Sequence, residues 1–310
     1  MTDIIENIKQ RFSASSVAMK YIYINVGVFI LIRLVLILYR LFLQEPNFTE
    51  YVEMPSNLAL FARRPWTIIT YMFVHIDFLH ILFNMLWLYW FGKIFLQFFT
   101  GRQLGGLYLL GGLAGGALFI LTYNIFPYLR QFSSLSFLAG ASASVMAIVF
   151  AVSFYRKDYA INLFLIGQIK LIYVALGVLI IDILAVTSDN AGGHIAHIGG
   201  ALLGIFYAAQ YRSGKDIAGF INRLLDRLVN FFTHKPKLKI RRTKKKVSQP
   251  GNKSHTEPGK KRPVETDEAY LRRKQEENRI IDSILDKLKQ SGYQSLSADE
   301  KKRLFDASRK

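Results

Sequence analysis

His75-Ile76-Asp77-Phe78-Leu79-His80-Ile81-Leu82-Phe83-Asn84-Met85-Leu86-Trp87-Leu88 opens an apolar run that continues to Phe99, with Lys93 as its one charged side chain after Asp77. About 20 apolar residues in helix cross a bilayer core about 30 Å thick, so residues 78–99 are expected to span a membrane. The run nevertheless carries His80 and Asn84 at i and i+4, which places both on one helix face. Strongly polar side chains at membrane depth are costly, so each calls for a partner or a task there.

Working outward, five more runs read as spans: residues 21–42 (interrupted by Arg33 and Arg40), the Gly-rich 104–126, then 135–155, 171–186 and 192–211. The expected fold is an all-α membrane protein, a bundle of six transmembrane helices followed by a helical and disordered cytoplasmic tail. Lys and Arg set the orientation. Lys9, Arg11, Lys20, Lys93, Arg102, Arg156, Lys157, Lys170 and the basic tail from Arg212 fall on one side, against Arg63, Arg64 and Arg130 on the other. Both termini are therefore expected in the cytoplasm, with residues 44–77 forming a long loop on the far side. The first twenty residues are mixed in charge and do not read as a cleavable signal, and Asp3 and Glu6 argue against a transit peptide.

Composition agrees: 51% of the 310 residues are hydrophobic and only 20% charged. A net charge of +18 would suggest nucleic acid in a soluble protein. Here most of the cations follow directly on the last apolar run, which reads as topology and attraction to anionic lipid; no nucleic-acid partner is expected. The chain has no Cys, which excludes disulfides, thiol catalysis and Cys-ligated metal. A transporter or channel would need ionisable residues through the membrane depth and repeated halves. Asp182 is the one acidic residue well inside a span.

Small residues mark close helix approach: Gly105, Gly106, Gly111, Gly112, Gly115 and Gly116 in the third span; Gly140 to Ser144 in the fourth; Gly192, Gly193, Gly199, Gly200 and Gly204 in the sixth. The alternating topology brings Ser142, the pair His194 and His197, and the pair His80 and Asn84 toward the same side of the membrane. Singly, each has a plain structural reading: a membrane-helix Ser bonds back to its own carbonyls, and a lone His or Asn serves as interhelical glue. Together they fit acyl transfer. A serine hydroxyl is a weak nucleophile that needs a base, an imidazole titrates near neutrality, and the oxyanion needs donors. His80, Asn84 and the Ser142 N–H are candidates for those donors. No acidic residue lies on the fourth or sixth span, and Asp182 reads as lying at the wrong depth, so the arrangement is expected to be a Ser142–His197 dyad rather than a triad.

At this point the chain resembles the rhomboid family of intramembrane proteases. His80-Ile81-Leu82-Phe83-Asn84 is similar to its H-x-x-x-N signature. Arg64-Pro65-Trp66 and the stretch Thr70 to His75 resemble the end of its first long loop. Gly140-Ala141-Ser142-Ala143 resembles its G-x-S-G motif, and Ala196-His197-Ile198-Gly199-Gly200, with Gly204, its catalytic-histidine helix. The resemblance covers roughly residues 20–210. It implies a six-helix bundle whose fourth helix begins deep, at the floor of a water-filled cavity, and substrates that are single-pass or multi-pass membrane proteins. It makes Ser142 the nucleophile, His197 the general base, His80 and Asn84 the oxyanion donors, and His194 and His75 supporting residues. No cofactor or metal is implied, and the location implied is a bacterial inner membrane. Two positions depart from the pattern: Ala143 replaces the motif's last Gly, and Met146 stands where some members stack an aromatic on the histidine. The rival reading is an inactive rhomboid-like protein that binds membrane clients.

Beyond the expected protease domain, 21–211, residues 215–233 form an amphipathic pattern suited to a helix lying on the membrane, within a segment 212–234. Residues 235–265 read as a basic flexible linker drawn to anionic lipids. In 266–310, residues 277–290 have helical spacing, Gly292 is a stop, and Ser297-Ala298-Asp299-Glu300 is a capping box.

Overall fold

The computed structural model describes residues 2–42, 48–163, 167–232, 280, 283–288, 291–292, 295–301 and 304. The chain separates into two units, Met1–Leu238 and Lys239–Lys310. In the first, α1 (Thr2–Ala14) precedes α2 (Val17–Leu41), whose N-terminus is capped by the Ser16 hydroxyl accepting from the Met19 N–H. The far loop is built from 3₁₀ turns at Phe48–Tyr51 and Tyr71–Phe73, strand β1 (Met54–Pro55), and short helices α3 (Leu58–Arg63) and α4 (Thr67–Thr70). Then follow α5 (Phe78–Phe95), α6 (Gly101–Ile125), α7 (Pro127–Arg130), strand β2 (Phe137–Leu138) and α8 (Ser142–Tyr155). Strands β3 (Ala160–Leu163) and β4 (Gly167–Lys170) lead to α9 (Leu171–Leu184), α10 (Ala191–Arg212) and α11 (Ala218–Phe232).

The helices α2, α5 and α6 are long and apolar enough to cross a membrane, and α8 and α9 are shorter apolar helices. Their outward faces carry large apolar side chains, among them Leu31 and Leu34 on α2, Phe83 on α5, and Ile180 and Leu184 on α9. Such surfaces match hydrocarbon rather than water.

The structure is mostly helical, and two small antiparallel ladders accompany the helices. In one, Met54 pairs with Leu138 and Pro55 with Phe137; in the other, β3 pairs with β4. The fourth apolar run also starts seven residues later than its hydropathy suggests. Residues 135–141 include β2 and a glycine at positive φ, and helix begins only at Ser142. Hydropathy registers apolar composition, and it does not distinguish an apolar loop or short strand from helix.

The core lies between α6, α8 and α10, whose contacts depend on missing side chains. A methyl added at Gly200 or Gly204 of α10 would strike the backbone oxygens of Ala143 and Ala147 on α8. One at Gly199 would strike Ala114 on α6. Helices that touch backbone to backbone gain dispersion contact along their whole length. Arg212 closes this end of the bundle by donating to the Phe154 and Tyr155 carbonyls at 2.7 and 2.8 Å, two of the carbonyls at the C-terminus of α8 that lack helix partners. Helix α11 packs on the start of α6: Ala218 abuts Gly106, Asn222 donates to the Arg102 carbonyl at 2.9 Å, and Arg102 pairs with Asp226 at 2.6 Å.

In the second unit, residues 283–288 are helical. Gly292, at φ 74°, donates to Leu288 O at 3.0 Å, as a helix stop does. The Ser297–Glu300 capping box is formed in both directions, at 2.7 and 3.3 Å. The basic stretch 235–265 and part of the helix expected over 277–290 lie outside the described residues.

Candidate active site

Ser142 is the first residue of α8. The segment that delivers it is pinned to the far loop. The Gly140 N–H donates to Tyr71 O at 2.9 Å, and the Ala141 N–H donates to His75 Nε2 at 3.2 Å. Tyr71 is held in turn by its hydroxyl on Gly112 O at 2.6 Å, and Tyr108 OH donates to Met72 O at 2.9 Å. Loop, α6 and the start of α8 are thus one hydrogen-bonded block. Gly140 has φ 122°, a region that side chains avoid. A Cβ there would also lie 2.8 Å from the His80 ring, so the glycine both makes the turn and admits the histidine.

His80 and Asn84 stand on one face of α5, the Asn84 amide donating to His80 O at 2.9 Å. With Ser142, Met146, Asn190 and His197 they line a cavity of about 330 Å³. The structure therefore brings four of the sequence-predicted residues, Ser142, His197, His80 and Asn84, to one space. No hydrogen bond joins Ser142 to His197 among the described residues. As the N-terminus of α8 opens here, the Ser142 N–H lacks a helix partner and the positive end of the helix dipole lies beside the hydroxyl.

His75 and His194 do not line the cavity. His75 is fully buried, 5.1 Å ring to ring from His80, and acts through the Ala141 N–H. Burial, reinforced by the nearby His80, holds its pKa down at about 4. It is thus neutral at ordinary pH, and because Nε2 accepts, its hydrogen is on Nδ1.

The expectation that Asp182 lies at the wrong depth to meet the histidines is corrected. Asp182 Oδ1 lies 2.9 Å from His197 Nδ1 and 2.8 Å from His194 Nδ1. Asp182 is two residues from the end of α9 and His197 six residues into α10, about 3 and 9 Å from helix ends joined by a short connection, and the side chains span the remaining difference in depth. The signal was present in the sequence: a single acid in the span that immediately precedes the two histidines. Asp182, His194 and His197 are also the group, among the described residues, whose ligand atoms lie close enough to hold a metal, within 4.8 Å of one another. Here those atoms hydrogen-bond to each other.

The departure at Ala143 is accommodated by α6. Its methyl sits where a Cβ on Gly115 would otherwise be, so the close neighbour of the extra carbon is α6. Met146 is largely buried and lines the cavity with His197.

Comparison with known proteins places this geometry in a family. The Rhomboid domain family model matches residues 62–213, and a family of unknown function (DUF6576) matches residues 265–310. The chain is 31% identical over 219 residues to RHOMBOID-like protein 12, mitochondrial, of Arabidopsis thaliana, an alignment covering 66% of this chain and 61% of that protein. The chain thus spans about three-fifths of the length of this relative. The apolar helices and the matched domain together make the chain a membrane protein that belongs to the rhomboid family.

Proposed function

We propose that the chain is an intramembrane serine endopeptidase of six transmembrane helices, cleaving single-pass or multi-pass membrane proteins in or beside their spans, with both termini in the cytoplasm. The observation that carries this reading is the shared cavity of Ser142, His197, His80 and Asn84 at the N-terminus of α8. In the reaction, Ser142 Oγ attacks the scissile carbonyl carbon while the free Nε2 of His197 takes its proton. The contact between them closes as substrate binds, as catalytic hydrogen bonds commonly do. Charge developing on the carbonyl oxygen is received by the Ser142 N–H, His80 and Asn84, and each such donor is worth about a hundredfold to a thousandfold in rate. Collapse breaks the C–N bond, and His197 returns its proton to the departing amine. Water, deprotonated by His197, then releases the acid product and regenerates the serine. The basic tail draws the chain to anionic lipids, and the exposed Phe220 and Leu224 of α11 extend its apolar face toward the membrane.

The test is cleavage of a single-span reporter in liposomes by wild type, Ser142→Ala and His197→Ala. Cleavage by wild type that falls at least about a thousandfold in both variants supports the assignment. A folded wild type that binds reporters and cleaves none favours an inactive rhomboid-like binder.

A further inference from the structure

We propose that Asp182 is a positioning residue that fixes His197 as its Nδ1–H tautomer and aims Nε2 at Ser142, so that the site is a Ser142–His197–Asp182 triad. The kinetic part of this inference rests on the protease reading; the tautomer does not.

Asp182 is 4% exposed inside an otherwise apolar helix, where an ionisable group is retained only with partners. Its partners are the two imidazoles, His197 Nδ1 at 2.9 Å and His194 Nδ1 at 2.8 Å, both on Oδ1. With one oxygen accepting from both rings, each Nδ1 carries hydrogen. A neutral imidazole has one N–H, which leaves Nε2 of His197 with its lone pair. That is the form a serine base requires. His197 makes no other hydrogen bond among the described residues, so Asp182 alone sets its tautomer. His194, one turn earlier on α10, ties the same oxygen from a second point and restrains the carboxylate's rotation; its rings and those of His197 are 5.9 Å apart and edge to face. His194 therefore acts through Asp182 rather than on substrate.

The full chain carrying ¹⁵N-histidine, in lipid nanodiscs and with Ser142→Ala to prevent self-cleavage, is examined by nitrogen NMR with and without Asp182→Asn. His197→Gln assigns the signal. The expected spectrum shows His197 with hydrogen on Nδ1, shifting toward Nε2–H in Asp182→Asn, whose amide can turn its NH₂ to the ring. With Ser142 present, Asp182→Asn is expected to lower kcat about a hundredfold to ten-thousandfold while KM stays within about threefold. Asp182→Leu, which keeps bulk without an acceptor, is expected to lose kcat likewise. An Nε2–H signal at His197 in the Asp182 chain overturns the proposal. So does an Asp182→Asn protein that loses thermal stability but keeps kcat, the mark of a purely structural acid. A histidine spectrum that changes with added zinc and reverts with chelator overturns it in favour of a metal site. If the chain cleaves nothing yet shows His197 Nδ1–H dependent on Asp182, the protease reading fails and the tautomer assignment stands.

Discussion

At the scale of single residues, His75 shows how a buried polar group can support a site without entering it. Its Nε2 accepts the N–H immediately before Ser142, so the position of the serine depends on that imidazole staying neutral. The pKa falls from 6.5 to about 4, mainly through burial. The unfolded chain therefore takes up a proton below about pH 6.5 that the folded chain refuses until about pH 4. Stability from this group is fully present above pH 6.5 and is lost as pH falls toward 4. The whole effect is at most about 3 kcal/mol. His75→Gln keeps an acceptor in place and cannot titrate. Thermal unfolding followed from pH 7.5 to 4.5 is expected to fall more steeply in wild type than in His75→Gln; parallel curves would remove the imidazole from the acid limb. The importance of His75 was only partly legible in the sequence, which placed it near the loop. Its contact is with a backbone N–H 66 residues away, and a side chain that serves a distant main-chain group leaves no spacing pattern.

Among the elements, spacing made more visible. Gly111, Gly115, Gly199, Gly200 and Gly204 lie where α6, α8 and α10 meet, while Gly105, Gly106, Gly112 and Gly116 face α2, α11 and the far loop, because a residue without a side chain is informative wherever elements touch. The polar pair on α5 was also legible, since i and i+4 fix a face whatever lies around the helix. The start of α8 was not, because hydropathy says little about where a helix begins or ends, whereas the Asp182 contact was legible from its place in the span just before the two histidines and was passed over. Strands β3 and β4 were missed because residues 160–170, short and largely apolar between two spans, show no clean alternation that marks a strand. The element contact with the clearest consequence is Gly200 against the Ala143 carbonyl. Gly200→Ala forces α10 away from α8 and carries His197, on the preceding turn, away from Ser142. The expected cost is about 1–3 kcal/mol in unfolding, with a loss of cleavage. Gly177 on α9 has nothing within 4 Å of an added Cβ. Gly177→Ala is the matched control, expected to leave unfolding and cleavage unchanged; equal damage from both would show that α8–α10 contact is not what holds the site.

Across the whole molecule, charge and contact divide the bundle into two ends. At one end Arg212 caps α8, Arg102 meets α11, and Arg156 lies 4.9 Å from the Phe98 ring. At the other, β1 pairs with β2, Ser56 bonds to Ser133 O at 2.9 Å, and Tyr128 OH reaches Thr187 O at 3.4 Å. The first end gathers the cations that charge bias assigns to the cytoplasm. The second holds the far loop, with Arg64 stacked 3.9 Å from the Tyr51 ring and donating to Glu50 O. Because the chain has no Cys, one introduced thiol reports on its own side without any background to remove. Gln131 and Asp158 are exposed at opposite ends. In intact cells, Gln131→Cys is expected to react with a membrane-impermeant maleimide, whereas Asp158→Cys reacts only after permeabilisation. The reverse pattern would invert the bundle and place Ser142, at the end of α8 nearer Gln131 in the chain, on the cytoplasmic side. Labelling of both from outside would break the alternation of spans, since α8 alone separates the two positions. The measurement thus tests the charge argument and the proposed span at α8 together, because the six-span reading puts the two ends of α8 on opposite sides of the membrane.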